Sequence, residues 1–307
     1  MEISVIIPVR NEEDSIPILI PRLIKSLDLI TSDWEVIFVT DLNSDNTFEV
    51  LKQNHNRESR IKVLKLSNSF GQHIAVYSAL KLCKGAAAVI MDGDLEVQPE
   101  DIPKLHAKMN EGWEIVYGYS KTKNRNYFKD NYSRFFNRIM ASATDYNMVS
   151  NSNMFRIISR RAIKEILKFK EYDPSLTYIM GLINFSSTGV KIDFDKRTHG
   201  KTKYSLNRQA NFAINSLMSF STKPLRMISV SGFILSFISF LYLVVVIIQK
   251  LFVEYTGFGW GTVIVLIILF GGLQLFAIGV IGEYIGRIFI QSKDRPRYIV
   301  EEKIGDL

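Results

Sequence analysis

The carboxylates of Asp92 and Asp94 are the side chains of this sequence that most directly predict chemistry. They close the apolar run AAAVIMDGDLE of residues 86–96 and are separated by one glycine. Such a run is typical of a buried parallel strand, and open α/β sheets bind ligands at the carboxyl ends of their strands. Neighbouring carboxylates repel each other unless a cation lies between them, and a divalent cation that bridges a diphosphate suits them. The alternative interpretation is an Asp-Gly turn with two solvated acids.

Polar fragments also follow three earlier predicted strands. In chain order the four fragments are Pro8–Glu12, Asp41–Thr47, Asn68–Gln72 and Asp92–Leu95. The carboxyl ends of parallel strands lie at one edge of a sheet, so we expect the fragments to meet there. Each fragment alone is a weak signal. Four of them in order predict one cleft that is suited to a nucleotide and a metal.

The elements that position these fragments alternate along the chain. We predict strands at 3–7, 35–39, 62–66, 87–91 and 114–117, and helices near 14–26, 46–53, 72–84 and 99–111. Such alternation predicts an α/β fold, in which helices cover both faces of a mainly parallel sheet. We expect this domain to occupy residues 1–206.

The C-terminal third of the chain has the composition of membrane-spanning helices. Residues 227–248 and 257–282 form uncharged runs of 22 and 26 residues, and about 20 residues cross a bilayer as a helix. We therefore expect two transmembrane helices within 227–285, after an amphipathic juxtamembrane segment at 207–226 and before a tail at 286–307. The alternatives are a buried helix of a soluble core for each run and an ordinary packing helix for the amphipathic segment.

The distribution of charge predicts the orientation of the chain in the membrane and limits the classes of partner that it can bind. Basic residues flank the outer ends of the two runs, whereas the short connection between them carries only Lys250 and Glu254. The positive-inside rule then places the N-terminal domain and the tail in the cytoplasm. The single cysteine, Cys83, excludes an intramolecular disulfide. The net charge is +7, but no nucleic-acid motif accompanies the basic segments, so we exclude nucleic acid as a partner.

The four fragments and the downstream half resemble the family-2 glycosyltransferases of GT-A fold. That family opens with P-x-x-N-E, continues with D-D-G-S-x-D-x-T and then carries D-x-D. Residues 155–161, 200–204 and 219–226 resemble the polyprenyl-phosphate branch of the family, which includes dolichol-phosphate mannose synthases and bactoprenol glucosyltransferases. The resemblance covers nearly the whole chain. It implies a Rossmann-like GT-A catalytic domain and a C-terminal hairpin of two transmembrane helices in the inner (plasma) membrane of a bacterium.

The resemblance also implies an activity and a set of site residues. The reaction would be metal-dependent transfer of a single sugar from a nucleoside-diphosphate sugar, with a UDP-sugar favoured, to undecaprenyl or another polyprenyl phosphate at the cytoplasmic face. The resemblance assigns catalysis and the binding of a magnesium or manganese ion to Asp92 and Asp94. The residues implied to bind the nucleotide sugar are Pro8, Val9, Arg10, Glu12, Asp41, Asp92, Gly93 and Asp94. The residues implied to bind the acceptor phosphate are Lys129, Ser133, Arg134, Arg156, Lys201, Lys203 and Tyr204. The family also suggests a homo-tetramer.

Five positions depart from the family pattern. Thr40 and Leu42 replace the first Asp and the Gly of D-D-G-S, Glu96 replaces an amide, Met154 replaces an acid before Phe-Arg, and Met180 replaces an arginine. A phosphate acceptor is already anionic at neutral pH, so transfer to it does not require a protein base. This would explain why Met154 is tolerated where relatives carry a carboxylate.

Other functions stay open at this point. One is transfer to a different lipid or synthesis of a polysaccharide, although the Q-x-x-R-W pattern of processive synthases is absent from the sequence. Another is a membrane scaffold that keeps the fold without catalysis, for which Thr40, Leu42 and Met154 leave room. The intact Asp92 and Asp94 pair argues against that scaffold.

Overall fold

The computed structural model describes residues 1–119, 154–171, 175–192, 222–252 and 260–307. These residues belong to two compact units. The first contains 1–119, 154–171, 175–192 and 295–307, and the second contains 222–252 and 260–294. The amphipathic segment expected before the first span lies outside the described residues up to position 221.

The first unit is an α/β domain with helices on both faces of its sheet. Its described strands are β1 Ile3–Val9, β2 Trp34–Thr40, β3 Ile61–Leu66, β4 Ala87–Ile90, β5 Ile115–Tyr119, β6 Arg156–Ser159, β7 Ser187–Lys191 and β8 Val300–Ile304. Its described helices are α1 Ile16–Asp28, α2 Thr47–Arg57, α3 Gln72–Leu80, α4 Ile102–Met109, α5 Arg160–Ile166 and α6 Leu176–Ile183. A single 3₁₀ turn, Pro99–Asp101, precedes α4, where the sequence predicted one continuous helix from 99.

The described strands form one mixed sheet in the order β7-β5-β6-β4-β1-β2-β3-β8. The central strands β4, β1, β2 and β3 are parallel, and Ile6 lies opposite both Ile37 and Ile90. Strand β6 is antiparallel to β4 and β5, and β8 is antiparallel to β3. The mainly parallel sheet is therefore confirmed, and the four polar fragments leave the sheet at one edge.

The core lies on both faces of this sheet. On one face Val5 and Ile7 pack in a cluster with Leu19 and Leu23 of α1. On the other face Ile6 belongs to a cluster with residues of α3. Burial of each aliphatic side chain of this size contributes about 1.5–3 kcal/mol. The strand ends that carry the polar fragments are thus fixed from both sides.

Part of the segment predicted as a tail at 286–307 belongs to a helix and to the sheet. Residues 286–292 continue the last helix, and residues 300–304 form β8 beside β3. Lys65 forms an ion pair with Glu301 at 2.7 Å, and Lys62 Nζ donates to the carbonyl of Asp306 at 2.7 Å. Backbone pairing and these lysines thus hold the last residues of the chain on the sheet.

The second unit contains two long apolar helices, α7 Lys223–Phe252 and α8 Trp260–Ser292. Within the described residues each has a stretch long and apolar enough to cross a membrane, Lys223–Tyr242 and Val263–Ser292. Their apolar side chains are exposed, as Phe233 at 74% and Ile267 at 66% illustrate. These helices are candidate membrane spans at the predicted positions.

Candidate active site

A cleft of about 310 Å³ opens at the carboxyl ends of β1 to β4. All eight residues that the sequence assigned to the nucleotide sugar line it: Pro8, Val9, Arg10, Glu12, Asp41, Asp92, Gly93 and Asp94. Val39, Ser69, Gly71, Gln72 and Ala75 complete the lining. The structure therefore brings fragments that are far apart in the chain into one cavity. Four carboxylates line this cavity, those of Glu12, Asp41, Asp92 and Asp94.

The loops after β1 and β2 are tied together by reciprocal hydrogen bonds. Asn11 adopts a left-handed backbone with φ of 57°. Its amide N–H donates to Asn43 Oδ1 at 3.1 Å, and its Oδ1 accepts from the Ser44 N–H at 2.8 Å. Asparagine tolerates this backbone region better than most residues. The two loops thus form one rigid wall of the cleft.

Thr40 has a structural role where the family pattern carries its first aspartate. The Thr40 side chain is buried, and its Oγ1 accepts a hydrogen bond from Asn43 Nδ2 at 2.6 Å. The same amide nitrogen donates to the carbonyl of Asp41 at 3.1 Å. The hydroxyl therefore holds Asn43 in the position from which it contacts Asn11.

Asp45 strengthens the same wall. Its carboxylate accepts from the Thr47 hydroxyl at 2.7 Å, the Thr47 N–H at 3.1 Å and the Glu13 N–H at 3.2 Å. Burial tends to raise the pKa of Asp45, but these hydrogen bonds outweigh it and the pKa is lowered. The group is thus ionised at neutral pH and serves the loop rather than the cavity.

Asp41 lies at the inner end of the cleft beside Arg10. Its Oδ1 is buried without a hydrogen-bond partner among the described residues and lies 3.8 Å from Arg10 Nε. Arg10 is mostly exposed and donates from Nη1 to Ser69 Oγ at 3.1 Å. A buried acceptor without a hydrogen bond is unfavourable by about 1–3 kcal/mol. Asp41 can therefore accept a hydrogen bond from a ligand.

Asp92 and Gly93 are placed by close contacts on both faces of the sheet. Gln72, the first residue of α3, donates from Nε2 to Asp92 Oδ1. A Cβ atom at Gly93 would lie 2.6 Å from Val9 Cγ1 and 3.5 Å from Ile7 Cγ2. Glycine is required at 93 because the end of β1 leaves no room for a side chain.

The turn after Asp94 is fixed by its own contacts. Asp94 Oδ1 accepts from the Glu96 N–H at 3.1 Å, and Leu95 between them has a left-handed φ of 61°. Arg22 of α1 then donates to both oxygens of Glu100, at 2.9 and 2.8 Å, and also contacts Gln98. This bidentate contact anchors the segment that follows Asp94 to α1.

The carboxylates of Asp92 and Asp94 suit a divalent cation that also contacts a diphosphate. Among the residues that the structure describes, no group of three or more His, Cys, Asp or Glu side chains is placed to hold a metal ion. Asp92 and Asp94 do face the same cavity. Magnesium in nucleotide enzymes commonly takes one or two carboxylates and completes its shell with phosphate oxygens and water. The two aspartates fit that role.

Comparison with known proteins identifies the family. The profile of glycosyl transferase family 2 matches residues 4–167. The chain belongs to glycosyl transferase family 2. It is 35% identical over 306 residues to YkcC, an uncharacterized glycosyltransferase of Bacillus subtilis, covering 99% of this chain and 95% of the relative.

Two further matches extend the comparison. The chain is 30% identical over 307 residues to the undecaprenyl-phosphate 4-deoxy-4-formamido-L-arabinose transferase of Proteus mirabilis, covering 99% of this chain and 94% of that enzyme. A crystal structure of a mycobacterial protein has the same fold, with a TM-score of 0.51, 17% identity and coverage of 72% of this chain and 74% of that one. This chain is thus a glycosyltransferase with a GT-A catalytic domain.

Of the seven predicted acceptor residues, Arg156 alone lies among the residues that the structure of this glycosyltransferase describes. Lys129, Ser133, Arg134, Lys201, Lys203 and Tyr204 lie outside the described residues. Arg156 is described, and it is 1% exposed in β6 rather than on an open basic surface. The family resemblance implied a contact between Arg156 and the acceptor phosphate. Its burial makes a direct contact with a lipid phosphate an unsuitable role for this side chain.

Several lining residues of the glycosyltransferase were not predicted as site residues. Ser69, Gly71 and Gln72 belong to the third polar fragment, whose position after β3 was the available signal. Val39 and Ala75 are apolar residues of β2 and α3, and nothing in their sequence context separates them from the core. The third fragment thus supplies a wall of the cleft and a direct contact to Asp92.

Proposed function

We propose that this glycosyltransferase transfers a single sugar from a nucleoside-diphosphate sugar, with a UDP-sugar favoured, to polyprenyl phosphate. The observation that carries the proposal is the convergence of Asp41, Asp92 and Asp94 on one cleft. Its chain also contains two helices of membrane-spanning length. The undecaprenyl-phosphate transferase of Proteus mirabilis, which aligns over 99% of this chain, supports the choice of acceptor.

The donor half of the site follows from the positions of the lining residues. Asp41 offers a buried carboxylate oxygen to the base or ribose, with Pro8, Arg10 and Glu12 around it. Asp92 and Asp94 would hold magnesium or manganese at the diphosphate. When bound, such an ion neutralises charge on the departing diphosphate. The rigid wall formed by the Asn11 and Asn43 loops keeps these groups aligned.

The chemical step needs little from a protein base. An oxygen of the acceptor phosphate attacks the anomeric carbon, the bond from that carbon to the diphosphate breaks, and the nucleoside diphosphate leaves with the bonding electrons. The attacking oxygen already carries negative charge at neutral pH, so no proton must be removed. This agrees with Met154 at a position where the family pattern carries an acid.

The proposed membrane location rests on the apolar composition of α7 and α8 and on the exposure of their side chains. The apolar surfaces of α7 and α8 are exposed within the second unit and would be covered by lipid. Lys223 and Arg226 lie at the start of α7, and Lys293, Arg295 and Arg297 follow the core of α8. The positive-inside rule then places the catalytic domain on the cytoplasmic face of a bacterial inner membrane. Lys129, Ser133, Arg134, Lys201, Lys203 and Tyr204 stay the proposed contacts to the acceptor phosphate.

The experiment is a donor and acceptor panel with the purified full-length protein. UDP-, GDP- and CDP-sugars are each incubated with polyprenyl phosphate or diacylglycerol, with magnesium, manganese or a chelator. We expect a glycolipid from polyprenyl phosphate only, and only with metal. Product from diacylglycerol would favour the other lipid acceptor, and no product from any pair would favour the scaffold. Glu49→Gln, an exposed acid on α2, is the matched control for variants of Asp92 and Asp94.

A further inference from the structure

The Asp92 carboxylate accepts a hydrogen bond from Gln72 and attracts the buried cation of Arg156. On the α3 side, Gln72 Nε2 donates to Asp92 Oδ1. On the β6 side, Arg156 lies directly opposite Ile90 in the antiparallel pair of β4 and β6. Asp92 follows Ile90, the last residue of β4, by two residues, and its negative charge favours the charged form of Arg156. A hydrogen bond from α3 and an electrostatic attraction from β6 thus act on this aspartate.

Arg156 is a buried cation, and uncharged groups of neighbouring residues are among its contacts. Its Nε donates to the carbonyl of Met154 at 3.2 Å, and its Nη1 lies 3.4 Å from Met180 Sδ and 3.5 Å from Thr177 Oγ1. The guanidinium carbon lies 5.1 Å from the centre of the Tyr117 ring. Burial lowers the pKa of Arg156, whereas Tyr117 and Asp92 act in the opposite sense. An arginine stays charged even so.

Two departures from the family pattern meet at this guanidinium. Met154 and Met180 stand where the pattern carries an acid and an arginine, and the sulfur atoms of both lie within 3.9 Å of Arg156 nitrogens. Replacing one acid and one base leaves the summed charge around Arg156 unchanged. At position 154, however, a thioether and a carbonyl now contact the guanidinium in place of a carboxylate. Position 154 therefore supplies no negative charge to this guanidinium.

We infer that Gln72 and Arg156 are positioning residues that hold the Asp92 carboxylate for a divalent cation. The inference rests on the metal-dependent function proposed above. Gln72 occupies one lone pair of Oδ1 and fixes the plane of the carboxylate, which has further acceptor positions for a metal. Arg156 offsets the repulsion between Asp92 and Asp94 from inside the protein. Partners of this kind typically change metal affinity about 10–100-fold when they are removed.

The test measures manganese binding directly, by the loss of the free Mn²⁺ electron paramagnetic resonance signal. The full-length protein is titrated with Mn²⁺ in the presence of UDP, alongside sugar transfer at saturating metal. Gln72→Ala is expected to raise the Mn²⁺ Kd about 10-fold, and much of the lost transfer should return at high Mn²⁺. Gln53→Ala, an exposed glutamine on α2, is the matched control and should bind Mn²⁺ as the wild type does.

Two substitutions test whether the positive charge of Arg156 supports metal binding. Arg156→Lys keeps the cation and should bind Mn²⁺ more tightly than Arg156→Met, which removes it. Gln72 is exposed, so Gln72→Ala tests the inference even if an Arg156 variant does not fold. Wild-type Kd values in Gln72→Ala, or equal Kd values in folded Arg156→Lys and Arg156→Met, would overturn the inference alone. A wild-type protein that binds no Mn²⁺ with UDP would instead overturn the metal-dependent function on which the inference rests.

Discussion

The Lys62 ammonium nitrogen lies 2.8 Å from Glu35 Oε2, and both side chains are buried where β2 and β3 pair. Glu35 Oε1 also accepts from the Ser4 hydroxyl and the Lys84 N–H, each at 2.6 Å. Lys62 in turn donates to the carbonyl of Asp306 at 2.7 Å. One buried ion pair therefore links the first strands of the sheet to the last residues of the chain.

Removal of Lys62 should destabilise the catalytic domain strongly. Lys62→Met leaves Glu35 buried without its cation, and loss of one partner of a buried pair is unfavourable by about 3–5 kcal/mol. Urea unfolding of the full-length protein, followed by the fluorescence of buried Trp34, measures the change. Lys52→Met, at an exposed position on α2, is the control. A loss in Lys62→Met no larger than in this control would contradict the structural role of the pair.

The stability difference between wild type and Lys62→Met should depend on pH. Burial, the largest effect on Glu35, raises its pKa, but hydrogen bonds from Lys62, Ser4 and Lys84 outweigh it, so the pKa lies below its ordinary value of 4.5. The stabilisation by ionised Glu35 is therefore complete above 4.5 and is lost as the pH falls below it.

Lys62→Met removes the hydrogen bond and the positive charge of Lys62, both of which lower the pKa of Glu35, so Glu35 takes up a proton more readily in the variant. Protonation of Glu35 at acidic pH then reduces the destabilisation of the variant. We expect the difference in unfolding free energy to be largest at neutral pH and to shrink on acidification below 4.5. Unfolding curves collected across this range provide the measurement. A difference that does not change between neutral and acidic pH would show that Glu35 is not the group responsible.

Asp41→Ala should weaken the binding of the nucleoside diphosphate without lowering the thermal stability of the protein. The variant loses the contact to the nucleotide that we propose for Asp41, so affinity for the nucleoside diphosphate should fall about 10-fold or more, the effect of one charged hydrogen bond. It also removes a buried oxygen without a hydrogen-bond partner in the described part of the chain, so Tm should be unchanged or higher. Calorimetric titration with UDP and a thermal melt test both. Unchanged UDP affinity would remove Asp41 from the donor site.

Gly93→Ala should impair transfer through a steric clash that a second substitution relieves. The new Cβ would lie 2.6 Å from Val9 Cγ1, and a shift of about 1 Å in catalytic groups can lower the rate about 100-fold. Val9→Ala removes that methyl group and leaves neighbours at ordinary contact distances of 3.5 and 3.8 Å. The double variant should therefore transfer sugar faster than Gly93→Ala alone, with Val9→Ala as the reference. No recovery in the double variant would point to a different requirement for glycine.

The central sheet and the cleft at its edge could be predicted because local patterns determine them. Apolar runs such as 87–91 mark strands that are buried on both faces, and polar fragments after them mark the ligand edge. Strand β8 could not be recognised in the same way. Its sequence, VEEKI, is charged and exposed, and its pairing with β3 depends on contacts far away in the chain. The burial of Arg156 could not be predicted because burial of a charge depends on neighbours from other elements, here Met180 and Tyr117.

The mass of the lipid product shows whether the enzyme transfers one sugar to a lipid phosphate. A polyprenyl phosphate of defined length is incubated with the accepted nucleotide sugar, metal and the full-length protein. We expect a gain of one sugar residue with the single phosphate retained, and no product with Asp94→Asn of wild-type stability or with a chelator. A gain of a sugar phosphate, a gain of several sugars, or undiminished product from Asp94→Asn would contradict it.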